Sequence, residues 1–247
     1  MEVSALTGLA PSMLAAVARR LRSDRVRRGR PWALSIERRV TIACTSLRTN
    51  LTIRELAAVF GISPAQAHRI VTDIVLRIAA LALSTPQDLD RRYSWVVDGT
   101  LVPTRDHSVA AKAKNYRWSC NAQILIRRVD LHVIAIAGGG PGNRNDPIHY
   151  RGTNIERLCQ SHGRVLADGG YRGVPELVTP VFRGRRIVRD RCWRRHRRRR
   201  ARVEHAVARL KDWRILRDHR RRGTRLMQSL QAVVVLHNLK IELRDSS

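Results

Sequence analysis

Between Arg183 and Arg225 the chain carries nineteen arginines and one lysine against four acids, a net charge of +16 in 43 residues. Such a stretch cannot enter a hydrophobic core. A charge run is ordinarily a solvated face, but one this dense repels itself unless a polyanion neutralises it. The whole chain of 247 residues has 48 Lys+Arg against 20 Asp+Glu, a net charge of +28 and a pI of about 11.7. Only Lys112, Lys114, Lys211 and Lys240 are lysines; every other cation is an arginine, whose planar fork pairs with phosphate oxygens. Codon usage in a GC-rich genome is a second source of arginine. At 43% hydrophobic the chain still buries a core, so a histone-like tail or a disordered basic arm is excluded as a description of the whole.

Cys44, Cys120, Cys159 and Cys192 are scattered without a C-x-x-C pair, which predicts neither a zinc ribbon nor a disulfide framework. The apolar stretch Met13–Ala18 lacks a preceding basic region and a small-residue cleavage pattern, and no run approaches the roughly 20 apolar residues of a membrane helix. The expectation is a soluble cytoplasmic protein.

Up to about residue 84 the apolar positions recur at helical spacing, which predicts an all-helical first domain over residues 1–84. A helix is expected over Pro11–Leu21, then a basic linker Arg22–Arg30, then a helix capped by Ser35 with Ile36, Val40, Ala43 and Leu47 on one face. Thr52-Ile-Arg-Glu55 is a capping box, Gly61 marks a turn, and Ser63-Pro64 supplies the N-cap and first residue of another helix. Short helix, glycine turn and well-capped second helix make the helix-turn-helix pattern. Ala67, Ile70, Val71 and Ile74 would face inward. Gln66, His68, Arg69 and Thr72 would point outward, as side chains suited to base edges and phosphates. An ordinary helical hairpin is the competing reading.

A polar segment with Pro86, Ser84–Arg92, breaks the pattern, and a second domain over 93–247 is expected. Tyr93–Asp98, Ser119–Ile126, Leu131–Ala137 and Val165–Asp168 read as strands, with a glycine-rich loop at Gly138–Asp146 and a helix over Thr153–His162. A long helix from Arg194 through Glu204 to Trp213 follows. The last, over Thr224–Leu243, carries Leu226, Leu230, Val233, Val234 and His237 on one side. Strands followed by flanking helices predict a mixed α/β fold.

Asp98 and Asp168 each end a Val/Leu-rich run and are each followed by glycine. If their strands are neighbours the two carboxylates meet at one sheet edge; taken singly, each is also an ordinary Asp-Gly turn. At about 100° per residue, Arg197, Arg200, Glu204 and Lys211 share one helix face, an acid among cations. Three carboxylates with open coordination positions suit hard Mg²⁺ ions, and a two-ion site of that type displaces phosphodiesters. The surrounding arginines would hold a DNA backbone.

These residues resemble a known family. Asp98, Asp168 and Glu204, with 35 residues between the last two, resemble the DDE triad of the ribonuclease-H-like transposases. Arg200-x3-Glu204-x6-Lys211 is similar to the signature around the third acid in bacterial insertion sequences, although Arg197 replaces its usual tyrosine. Leu166–Gly173, Arg202–Lys211 and Val235–Leu239 resemble the Harbinger-like branch, and Gly142–Asp146 departs from its Gly-Ser-x-His-Asp-like loop.

The resemblance implies an α/β ribonuclease-H-like mixed sheet with flanking helices, preceded by an all-helical helix-turn-helix domain. It implies a transposase that binds element ends, hydrolyses the 3′ strand and transfers it to target DNA. Asp98, Asp168 and Glu204 would hold two Mg²⁺ ions, with Mn²⁺ able to substitute. Gln66, His68, Arg69, Thr72, Arg197, Arg200 and Lys211 would bind double-stranded DNA, as a homodimer associated with the nucleoid. The competing classes are a helix-turn-helix regulator without catalysis and a nuclease of the same fold without strand transfer. Asp106 and Asp146 read as solvated loop residues, and His205 and His237 as core histidines. Trp118 and Trp193 read as packing residues, with base stacking as the alternative.

Overall fold

The computed structural model describes residues 3–22, 32–81, 89–113 and 117–245. The expected basic linker and most of the Pro86 segment lie outside the described residues. No described helix is long and apolar enough to cross a membrane.

The chain forms two compact units. One unit comprises residues 1–81, 211–218 and 228–247, and the other residues 82–210 and 219–227.

The first unit opens with α1 (Val3–Thr7), which the sequence did not signal, and α2 (Pro11–Arg22). Next come α3 (Ile36–Thr49), α4 (Ile53–Phe60) and α5 (Pro64–Ala79). Ser35 caps α3 by accepting from the Arg38 N–H at 3.3 Å. At α4 both halves of the capping box are made: Thr52 Oγ1 accepts from the Glu55 N–H at 3.3 Å, and Glu55 Oε2 accepts from the Thr52 N–H at 2.7 Å. Gly61 ends α4 at φ 64°, the left-handed region that glycine enters without strain. Ser63 then caps α5, with Pro64 at its first turn.

Both α3 and α4 pack on α5, whose Ala67, Ile70, Val71, Ile74 and Ile78 are buried. Thr52→Ala removes one capping bond and is expected to cost about 1 kcal/mol, read by chemical denaturation. An unchanged midpoint would mean that tertiary packing alone holds α4.

The second unit is built on a mixed sheet. Its strands are β1 (Trp95–Pro103), β2 (Ala111–Lys112), β3 (Trp118–Arg127), β4 (Val133–Pro141), β5 (Val165–Leu166) and β6 (Leu177–Val178). β4 and β2 pair with β3, β3 runs antiparallel to β1, and β1 runs parallel to β5, as β5 does to β6. Two helices, α6 (Asp146–Tyr150) and α7 (Asn154–His162), follow β4. Trp95, Val97, Leu125, Ala135, Tyr150, Ile155, Val165, Ala167 and Tyr171 share one core. Antiparallel strands followed by parallel ones, with flanking helices, are compatible with a ribonuclease-H-like domain.

A hairpin, β7 (Phe182–Arg183) with β8 (Arg186–Ile187), precedes α8 (Arg191–Lys211), and α9 (Arg225–Asp245) closes the chain. α9 is not apolar on one side only: residues 232–239 are buried all round, as befits a helix without a polar face. β1 also departs from expectation. It continues five residues past Asp98, so Asp98 is a mid-strand residue and Gly99-Thr100 is no turn.

Candidate active site

The register of two parallel strands brings the aspartates together. Val96 on β1 is level with Leu166 on β5, which brings Asp168, just past the end of β5, near enough to Asp98 for its charge to act on the Asp98 carboxyl. β5 stops at Leu166. Asp168 then starts a short 3₁₀ turn, its Oδ1 accepting from the Gly170 N–H at 2.8 Å.

Glu204 arrives from α8, whose Val203, Ala206 and Leu210 are buried while its arginines are largely exposed. It does not touch the aspartates directly. Arg200 bridges: one guanidinium nitrogen lies 3.0 Å from Asp98 Oδ2, and the other is paired with Glu204 Oε1. The Asp98 side chain is 17% exposed and that of Glu204 57%. The Asp98 carboxyl is pushed up to about 7, chiefly by burial, with Arg200 pulling it down and the charges of Asp168 and Asp146 adding to the rise.

Between the ordinary value of 3.8 and about 7 the folded state binds more protons than the unfolded one, so Asp98 lowers stability as pH rises through that window. Asp98→Asn is therefore expected to raise the melting temperature more at pH 8 than at pH 5. An equal change at both would contradict the desolvation of Asp98.

Asp146 is the main correction to the sequence reading. It does not lie free in a solvated loop but opens α6, and its Oδ1 accepts from Asn121 Nδ2 at 2.6 Å and Gln123 Nε2 at 3.2 Å. Gly99 makes the room: a methyl group there would overlap Asp146 Oδ1. Gln123 Oε1 in turn accepts from the Tyr171 hydroxyl. Asn121 and Gln123, alternate polar residues of a largely apolar buried strand, were the available signal. Asp106 is likewise buried, accepting from the Gly223 N–H and the Ser108 hydroxyl, both at 2.6 Å.

In the first unit, His68, Arg69 and Thr72 are exposed on α5 and Gln66 is half-buried. Lys211 ends α8, its ammonium held below the usual lysine range by burial and by Arg217; by contacts it belongs to the first unit. In the second unit, Arg197 lies over Trp193, 5.5 Å from its ring centre. Trp118 stacks on His107 at 4.2 Å. His237 is buried, whereas His205 is exposed, because α8 turns Val203 and Ala206 inward instead. Arg191, Arg194, Arg195, Arg198 and Arg199 line an open groove, a row at i, i+3 and i+4 spacing with no acid among them.

The donor set can be tested against a cation. Among the described residues no three His, Cys, Asp or Glu side chains are gathered closely enough to enclose an ion as they stand. The guanidinium of Arg200 lies between two of the acids. The chemistry nevertheless fits a hard divalent cation: the donors are carboxylate oxygens, and Asp98 is desolvated and repelled by two neighbouring acids, a strain that added positive charge relieves.

Residues 97–238 match the family described as DDE superfamily endonuclease. The chain is also 37% identical, over 97% of its own length and 94% of the relative's, to the protein of Streptomyces albus G named "putative transposase for insertion sequence element IS112". The chain therefore belongs to the DDE superfamily endonucleases.

Proposed function

We propose that the protein is a Mg²⁺-dependent transposase that binds the ends of its element, hydrolyses the 3′ strand and transfers it to target DNA. The observation that carries this reading is the closeness of Asp98 to Asp168 across the parallel strands β1 and β5, with Arg200 joining Asp98 to Glu204. Asp98 and Asp168, with Glu204, would hold the cation. When bound, such an ion polarises a phosphate oxygen and lowers the pKa of the attacking water or hydroxyl. A phosphodiester offers Arg200 another anionic partner, and its departure frees Asp98 Oδ2. The α8 arginine row grips the backbone, which positions the scissile bond and costs no sequence preference.

The pair α4 and α5 acts as a helix-turn-helix, with Gln66, His68, Arg69 and Thr72 reading the element end. Pairing of two ends requires a homodimer on DNA, and such a protein resides on the nucleoid. Arg69→Ala and Gln66→Ala are expected to reduce the preference for terminal-repeat DNA over scrambled DNA by about 1–3 kcal/mol per lost base contact, read by equilibrium binding. The reading as a whole is tested by incubating protein, a labelled terminal-repeat duplex and a plasmid with Mg²⁺. Covalent joining of the 3′ end to the plasmid is the expected product; nicking without joining would leave an endonuclease without strand transfer.

A further inference from the structure

Two buried amides stand in the middle of β3. Asn121 and Gln123 are buried on the face of a strand whose neighbours are Ala122, Ile124, Leu125 and Ile126. Polar groups are kept in such a place only when their hydrogen bonds are made. Both amides donate to the same oxygen, Asp146 Oδ1, and Gln123 also donates to Asn121 Oδ1 at 2.9 Å. Gln123 spends its own carbonyl on Tyr171, three residues beyond Asp168. A continuous polar chain thus runs from the segment carrying Asp168 through Tyr171 and Gln123 to Asp146.

Gly99 completes the arrangement. It follows Asp98 directly and is level with Gln123 on the neighbouring strand. Any side chain at this position would displace the Asp146 carboxylate. Glycine inside a strand marks the close approach of another group, and the group here is an acid. No hydrogen bond is made to Asp146 Oδ2 among the described residues, so one oxygen is anchored and the other is left for a further partner.

We propose that Asp146 is a fourth functional acid, held by Asn121 and Gln123 against Gly99 so that its charge adds to divalent-cation binding at Asp98 and Asp168. The Tyr171 hydroxyl is consistent with this crowding. Burial raises its pKa first, and the charges of Asp146, Asp98 and Asp168 raise it further, so all three acids act on one phenol. The inference rests on the proposed reading of Asp98 and Asp168 as cation-binding residues.

The test is calorimetric titration of the purified full chain with Mn²⁺, without DNA, for the parent, Asp98→Asn, Asp146→Asn and Gly99→Ala. Asp146→Asn keeps the side-chain shape, and Gly99→Ala keeps every acid while displacing Asp146. Each is expected to weaken Mn²⁺ binding roughly 10–100-fold, the usual cost of losing a supporting partner at a metal site. A melting temperature near the parent's excludes mere unfolding as the cause. Parent-like affinity in folded Asp146→Asn would overturn the inference while leaving Asp98 and Asp168 untouched. If Asp146→Asn does not fold, parent-like affinity in Gly99→Ala overturns it instead. Absence of Mn²⁺ binding by the parent would overturn the underlying reading of the site.

Discussion

Asp98→Asn, Asp168→Asn and Glu204→Gln are each expected to cleave end DNA at least about a thousandfold more slowly than the parent, the several kcal/mol that metal-ion charge stabilisation supplies. Binding to the same DNA should be unchanged or tighter, because an acid that repels phosphate has gone. The substitutions are close to isosteric. Asn at 168 still offers an oxygen to the Gly170 N–H, and Gln at 204 remains on a solvent-exposed stretch of α8. Their effects should also be non-additive, since losing any one acid disables the same unit. Strand cleavage assays on each variant, with circular dichroism for the fold, measure this. Appreciable cleavage by folded Glu204→Gln would remove the helix-borne acid from the site.

Replacing Arg194, Arg195, Arg198 and Arg199 together with alanine should weaken binding to all DNA alike. Each phosphate contact is worth roughly 0.9 in the slope of log affinity against log salt, so four lost contacts flatten the slope by about 3–4. At about 0.15 M salt this amounts to a loss on the order of a thousandfold. Stability should rise, because the like charges at i, i+3 and i+4 along this face repel one another in the free protein. Binding isotherms across a salt series test both halves of the division between phosphate grip and base reading. A loss confined to terminal-repeat DNA would contradict it.

The pairing of Asp98 with Asp168 was legible in part. Two apolar runs, each ending in Asp-Gly, mark two strands with carboxylates at comparable positions. Their closeness depends on the parallel register Val96 to Leu166, which spans 70 residues of chain and has no local signal. The capped helices α3, α4 and α5 were legible for the opposite reason. Ser35, Thr52, Glu55, Gly61 and Ser63 act within one helical turn of where they stand.

Asp146 was not legible because its surroundings, Gly142-Asn-Arg-Asn, read as a solvated loop, while the amides that hold it lie 25 and 23 residues upstream. Gly99 misled in the same way. In isolation Asp-Gly is a turn; here the glycine sits inside a long strand to admit a carboxylate. Arg200 was legible as a cation on the face of Glu204, but its reach to Asp98 crosses 102 residues and required the packed helix.

The most direct measurement is incubation of the purified protein with supercoiled plasmid carrying the element ends, in Mg²⁺ and in EDTA. Nicking at the ends in Mg²⁺, abolished by EDTA and by Asp98→Asn, is the expected result. Sequence-specific binding to the ends with no metal-dependent nicking would contradict it and leave a DNA-binding regulator.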